Sequence, residues 1–337
     1  MAEHEKQPAP RWRQVAWLVL RMLFVVGVFY FIFRVTDINF ADLGAEFRQV
    51  RWGFVVLGFG VWLLTMLVGA VRWKLLLDVV VPGKRVLPLF ALNLIGVFYA
   101  QFLPGLVGGE LAKGYYLARD DEQKVRLMSS AIVDRLLGIA VNGAVGLTAL
   151  LTSPLLLTTF GLERRLLWLL LAGLAVGALV GLGVLRYIER FEARLPGFVS
   201  AVYDPLKLYA RHVPALLAAS GASLAYFLCW ALAFWALAAS TQIAQLGYLT
   251  MVLLVALVNV VQFLPISING AGVREGAVVL MLSAYGIGEA RALAFALLVP
   301  LMNISVALLG GLLVLADYHP AATPSVEERA PDSVGGL

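Results

Sequence analysis

Residues 93–110 read NLIGVFYAQFLPGLVGGE, and residues 258–275 read VNVVQFLPISINGAGVRE. Each stretch begins as an apolar segment, reaches a proline, passes a glycine-containing turn and ends at a glutamate. Two hydrophobic segments interrupted by Gly and Pro, one in each half of a membrane protein, indicate a transport site. The residues predicted to break the two helices are Pro104, Gly105, Gly108 and Gly109 in the first stretch and Pro265, Gly270 and Gly272 in the second.

The composition of the 337-residue chain is that of an integral membrane protein. Hydrophobic residues make up 61% of it and charged residues only 14%, which is too apolar for a soluble globular domain. The net charge of +5 comes mostly from Lys and Arg beside apolar runs, where such residues set membrane topology. A single cysteine, Cys229, excludes an intrachain disulfide, and the sequence has no Walker-type phosphate loop. We therefore expect no metal, no cofactor and no nucleic-acid partner.

Apolar runs predict six full transmembrane helices and two broken segments in one membrane domain. The predicted spans are residues 15–33, 53–71, 127–151, 166–185, 214–239 and 290–315. The broken segments, 87–117 and 246–285, are expected to form re-entrant helical hairpins, although a fully crossing helix before Pro104 is the alternative. Residues 35–52 have the spacing of an amphipathic surface helix. The membrane domain covers 15–316, and the polar ends, 1–14 and 317–337, are predicted to be disordered.

The two broken segments predict an internal repeat with halves at about 53–165 and 214–316. Gln101 and Gln262 are 161 residues apart, and so are Asn142 and Asn303. The excess of Lys and Arg in alternate loops places the N-terminus in the cytoplasm. Three full crossings then separate the broken segments, so the repeat is expected to be inverted, with the hairpin tips near the midplane.

Ionisable residues in the predicted membrane segments are the candidate substrate-binding residues, because such residues are costly in lipid. Glu110 and Lys113 would share a helix face. Arg274 opens a helix after a glycine-rich turn, where free backbone N–H groups favour an anion such as a lipid phosphate. The residues predicted to line the translocation path are Glu110, Lys113, Arg135, Arg274, Glu275, Asn269, Gln101 and Gln262.

Each of these patterns also has a purely structural interpretation. Glu110 and Lys113 can neutralise each other at a helix start. Asp134 and Arg135 can lie at the cytoplasmic interface as part of the positive-inside pattern. The four amide side chains at 101, 142, 262 and 303 can form interhelical hydrogen bonds. The run Arg72-Trp73-Lys74 is predicted to close the second span as an interfacial anchor, with Trp52, Trp73 and Tyr318 as belt residues.

These motifs, in this order, resemble the flippase-like transmembrane domain of the lysylphosphatidylglycerol synthases. The resemblance covers about 15–316 and rests on Arg72-Trp73, FLPG and GGEL within 102–111, the acidic-Arg pair at 134–135, and LP followed by NGAGVRE within 264–275. It implies a multi-pass protein of the bacterial inner membrane that moves an anionic phospholipid, a hopanoid or a polyprenyl-linked sugar between leaflets. It also implies that Glu110, Arg135, Arg274 and Glu275 line the path. Position 113 is Lys where the family pattern usually shows Arg.

We therefore predict an all-α integral membrane protein that acts as a lipid flippase. About 20 polar residues follow the last predicted span, so we expect neither the soluble aminoacyl-transfer domain nor an enzymatic activity. The alternatives are a secondary transporter of a small soluble anion, a scaffold, and a membrane-bound lipid-modifying enzyme in which Glu110 and Glu275 act as acid or base. The sequence leaves open the lipid, the direction and energy source of transport, and whether the protein is a homo-oligomer.

Overall fold

A computed structural model describes residues 40–101, 108–118, 124–152, 168, 172, 208–209, 212–243, 246–263 and 272–318. Every regular element in these ranges is an α-helix, as predicted for an all-α protein. The predicted first span, the predicted disordered N-terminal end, the C-terminal end beyond residue 318 and all of the span predicted at 166–185 except residues 168 and 172 lie outside the described residues. The helices are α1 (Phe40–Arg48), α2 (Trp52–Val80), α3 (Val86–Ala100), α4 (Gly108–Ala118), α5 (Lys124–Thr152), α6 (Val213–Ser240), α7 (Tyr248–Phe263), α8 (Val273–Ala284) and α9 (Glu289–Leu315).

Four of the described helices are long and apolar enough to cross a membrane. They are α2, the part of α5 from Leu127 to Thr148, α6 and α9. The 29 residues of α2 rise about 43 Å, which exceeds the roughly 30 Å of a hydrocarbon core. These helices confirm four of the six predicted spans. The boundary predicted for the second span was wrong, because α2 continues beyond Val71 to Val80.

Two pairs of shorter helices occupy the predicted broken segments. Helices α3, α4, α7 and α8 contain 15, 11, 16 and 12 residues, so the longest rises about 24 Å, less than the hydrocarbon core. Within each pair the two helices pack against each other. The expected breakers Pro104, Gly105, Pro265 and Gly270 lie outside the described residues, whereas Gly272 precedes α8 with a φ of 81°, a conformation that suits glycine. The re-entrant path through the membrane stays a prediction.

The order, lengths and contacts of the helices favour the predicted internal repeat. Helices α2 to α5 run long, short, short, long, and α6 to α9 repeat that order. Helix α2 packs along α6, while α3 packs against α9 and α5 packs against α7. Each half therefore places its first short helix on the last long helix of the other half. The inverted orientation of the halves relative to the membrane stays a prediction.

Helix α3 is held between α4 and α9 by very close backbone crossings. A Cβ atom on Gly109 would lie 2.5 Å from the Gly96 carbonyl oxygen, and one on Gly310 would overlap the Leu94 carbonyl oxygen. Small residues permit such close approach between membrane helices. Gly109 was predicted as a turn residue, but Gly108 and Gly109 lie in the first turn of α4.

Candidate functional site

Four charged side chains meet between α2, α4 and α5, and we name Arg72, Glu110, Lys113 and Asp134 the charge cluster. The Nε and one terminal nitrogen of Arg72 donate to the two carboxylate oxygens of Asp134 at 2.6 and 2.9 Å. The Lys113 Nζ lies 3.2 Å from Asp134 Oδ2 and 2.5 Å from Glu110 Oε2. Asp134 is only 1% exposed and Lys113 only 4%. The predicted Glu110–Lys113 pair is therefore present, but it belongs to a larger network.

The Lys113 ammonium is surrounded by acceptors and by an aromatic face. Besides the two carboxylates, its Nζ donates to Asn93 Oδ1 at 3.4 Å. The same Nζ lies 4.5 Å from the centre of the Trp73 ring, within the range of a cation–π interaction. The Trp73 indole in turn donates to Ser130 Oγ at 3.0 Å. Helix α3 thus supplies an amide, α2 an indole and α5 a hydroxyl that hold the cluster in place.

The helix positions explain why these side chains meet. Arg72 lies about 12 Å before the C-terminal end of α2, and Asp134 lies about 15 Å after the start of α5, at 1.5 Å per residue. Gly138, one turn after Asp134, gives the Arg72 guanidinium room, because a Cβ atom there would be 3.0 Å from an Arg72 terminal nitrogen. Charges buried together compensate one another, and removal of one partner leaves an expensive unpaired charge.

A second ion pair lies at the start of α8. The Arg274 Nε and a terminal nitrogen donate to Glu275 Oε1 at 3.0 and 2.5 Å. The other carboxylate oxygen of Glu275 accepts the Gly272 backbone N–H at 2.5 Å, so Glu275 also caps the helix. Both side chains are buried. The two charges therefore compensate each other within the first turn of α8.

The remaining predicted site residues belong neither to the charge cluster nor to the ion pair of α8. Gln101 donates to Asn303 Oδ1 at 3.4 Å and joins α3 to α9, which confirms the interhelical interpretation for this pair. Gln262 lies in α7, but its side chain and all of Asn269 are outside the described residues. Arg135 is partly exposed, and its buried Nε has no hydrogen-bond partner in the described ranges.

Sequence reasoning missed the roles of Arg72, Trp73 and Asn93. The prediction that Trp73 is a belt residue and that Arg72 anchors the helix at the interface was wrong, because Trp73 is 0% exposed and Arg72 is buried. The signal that could have found them is the apolar run Leu75-Leu76-Leu77, which continues the helix past the charges.

A buried hydroxyl also lies near the cluster. Tyr209 precedes α6 and is only 2% exposed, and its hydroxyl has no hydrogen-bond partner among the residues that the structure describes. Burial, together with the negative charge of Asp134, raises the pKa of Tyr209 above its ordinary value. This phenol therefore stays neutral and adds no charge to the site.

In the second half of the chain, the 161-residue spacing places Ala233, Ala271 and Phe295 at the positions equivalent to Arg72, Glu110 and Asp134, but it places Arg274 at the position equivalent to Lys113. The repeat spacing places Phe234 opposite Trp73 and Phe295 opposite Asp134. Those two rings pack edge to face with centres 6.1 Å apart inside the apolar core. The second half therefore keeps one cation of the cluster, Arg274, which pairs with its neighbour Glu275, and lacks the equivalents of the other three charges.

The comparisons with known proteins agree with this architecture. The chain matches the family model described as the lysylphosphatidylglycerol synthase TM region over residues 18–311. That range includes the whole charge cluster and the Arg274–Glu275 pair. No curated protein and no solved structure matches the chain. The family is related to membrane lipids, and the matched range contains helices long and apolar enough for a multi-pass membrane protein. The chain therefore belongs to the family of lysylphosphatidylglycerol synthase transmembrane regions.

Proposed function

We propose that the protein is a lipid flippase that moves a lipid or a lipid-linked head group between the leaflets of the bacterial inner membrane, without an enzymatic activity. The observation that carries this proposal is the charge cluster buried between the membrane-crossing helices α2 and α5 and the short helix α4. An ionisable side chain near the centre of a bilayer costs roughly 2.5–3.5 kcal/mol on insertion scales, so such residues mark substrate pathways.

The equivalent of Asp134 in the second half argues against a purely structural role for that carboxylate. Replacement of buried ion pairs by well-packed apolar residues is often neutral or stabilising. Phe295, at the position equivalent to Asp134, illustrates that solution, because its ring packs against Phe234 in the apolar core. Since a packed ring can occupy the position of Asp134, the pairing of Asp134 with Arg72 and Lys113 is better explained by a polar ligand than by stability.

The two pairs of short helices suggest how the polar site could be exposed to each leaflet. In our proposal each pair is a re-entrant hairpin, the two halves are inverted, and the N-terminus is cytoplasmic. Rocking of one half against the other would expose the polar site to each leaflet in turn. The head group would pass the charged residues while the acyl chains stay in lipid.

A leaflet-exchange assay in proteoliposomes tests the proposal. Head-group-labelled anionic, zwitterionic and cationic phospholipids would be offered to the wild type, Glu110→Gln and Glu275→Gln. Asp78→Asn is the matched control, because Asp78 forms a partly exposed pair with Lys74 outside the cluster. We expect exchange by the wild type and the control and a strong loss in both Gln variants. Equal exchange by all four proteins, or none by the folded wild type with any lipid, would refute a phospholipid flippase.

A further inference from the structure

Helix α1 precedes the first half of the chain but packs on the second half. It lies in the stretch that the sequence predicted to be an amphipathic surface helix, and it is in contact with α9. Leu43 and Phe47 pack against the apolar core that α6 to α9 share with α2, and Val50, which follows the helix, is buried in that core. The transport mechanism proposed above gives this helix no role.

Two polar contacts attach residues 40–51 to one end of the second half. The Arg291 Nε and a terminal nitrogen donate to the two carboxylate oxygens of Glu46 at 3.1 and 3.4 Å. The Arg51 backbone N–H donates to the Ser240 carbonyl oxygen at 2.9 Å. Arg291 lies in the first turn of α9, and Ser240 is the last residue of α6. Residues 40–51 therefore lie across the end of the bundle where α6 ends and α9 begins.

An apolar cavity lies inside the same end of the second half. It is lined by residues of α6, α7, α8 and α9, among them Met251, Met281 and Phe295. Phe295 is one turn after Arg291 on α9, Met251 is in the first turn of α7, and Met281 is in the last turn of α8. Protein interiors are ordinarily close-packed, and atoms that line a void lose packing contacts. The four helix ends beside α1 therefore have room to shift relative to one another.

The attachment of α1 is weak compared with the contacts inside the bundle. The side chains of Arg291 and Glu46 are 35% and 21% exposed, and a partly exposed ion pair contributes little stability. Leu43 and Phe47 are only partly buried. Helix α1 can therefore leave the bundle at a small cost in free energy while the helices beneath it keep their own contacts.

We infer that residues 40–51 form a strap that holds this end of the second half closed, and that the Glu46–Arg291 ion pair is the contact that releases it. Release of the strap frees the ends of α7 and α8 to separate from α6 and α9, and the ion pair closes them again when it re-forms. A ligand shifts such an equilibrium only by the difference in its affinity for the two arrangements, so a weak contact suits regulation. The inference rests on the proposed function only for its effect on lipid exchange, because closure is measurable without transport.

Thiol labelling at the cavity tests closure in the purified full chain in detergent. All variants carry Cys229→Ser, which removes the native thiol, and Met251→Cys, which places one thiol at the buried cavity wall; a maleimide is the probe. Glu46→Gln and Arg291→Gln each break the ion pair, and the exchanged pair, Glu46→Arg with Arg291→Glu, restores opposite charges. Asp42→Asn is the matched control, because Asp42 is an exposed carboxylate on the same helix.

The expected result is labelling that is about two- to fivefold faster in Glu46→Gln and Arg291→Gln. The labelling rate follows the population of the open form, and loss of a partly exposed ion pair shifts that population by about this factor. The Asp42→Asn variant and the exchanged pair should label at the original rate. Equal rates in all of these proteins, or an exchanged pair that labels as fast as the single variants, would overturn the strap.

A cross-link tests whether release of the strap is required for lipid exchange. Glu46→Cys and Arg291→Cys, combined in the Cys229→Ser background, are joined by a short reducible reagent that reacts with two thiols, and leaflet exchange is measured before and after reduction. We expect the cross-link to abolish exchange and reduction to restore it. Equal exchange by the cross-linked and reduced forms overturns the strap but not the flippase. No exchange by either form or by the wild type refutes the flippase, and the labelling rates still decide the strap.

Discussion

Replacement of Asp134 by asparagine tests how far the charge cluster depends on a single carboxylate. Asp134 accepts two hydrogen bonds from Arg72 and one from Lys113, and it is only 1% exposed. Asparagine keeps the volume but leaves Arg72 without a counter-charge, while Lys113 retains Glu110. Removal of one partner from a buried ion pair costs about 3–5 kcal/mol. We expect the free energy of unfolding to fall by that amount.

The assay is SDS-induced unfolding in mixed micelles, followed by circular dichroism. Asp78→Asn is the matched control: the side chains of Lys74 and Asp78 are 31% and 34% exposed, so its expected cost is about 0–1 kcal/mol. The double variant Arg72→Met with Asp134→Leu removes both charges and should recover most of the lost stability. If Asp134→Asn lowers the free energy of unfolding by no more than Asp78→Asn does, the ion pairs of Asp134 do not stabilise the fold. A stable double variant without leaflet exchange would separate function from stability.

Two further predictions concern packing and hydrogen bonding within the membrane domain. Gly310→Ala should separate α9 from α3, because the new Cβ would overlap the Leu94 carbonyl oxygen, and should cost about 1–3 kcal/mol in the same unfolding assay. Gly143→Ala is its control, since among the described residues no atom outside the adjoining backbone of α5 lies within 4 Å of that Cβ position. A cost equal to that of Gly310→Ala would contradict the close crossing. Trp73→Phe removes the 3.0 Å hydrogen bond to Ser130 and should destabilise by about 1–3 kcal/mol; an unchanged unfolding midpoint would show that the indole N–H does not contribute.

Much of the fold could be predicted because the hydrophobicity of a short stretch of sequence decides whether that stretch can cross a membrane. An apolar run of about 20 residues is enough to identify a span, and four predicted spans are helices in the structure. Each predicted broken segment contains two short helices, α3 and α4 in the first and α7 and α8 in the second, as the Pro and Gly residues between them indicate. The Glu110–Lys113 pair was also accessible, because residues three apart on a helix are neighbours.

Only the tertiary structure decided which charges pair between helices. Arg72 and Asp134 are 62 positions apart. The apolar run Leu75-Leu76-Leu77 indicates that the helix continues past Arg72, but it does not identify the ionic partner of Arg72. The meeting of Arg72 and Asp134 depends on how closely α2, α4 and α5 approach one another, and on a glycine at 138 that leaves space for the guanidinium. Hydrophobicity fixes where a helix lies relative to lipid, but the choice of ionic partner is set by helix crossings, and those depend on packing between segments distant in sequence.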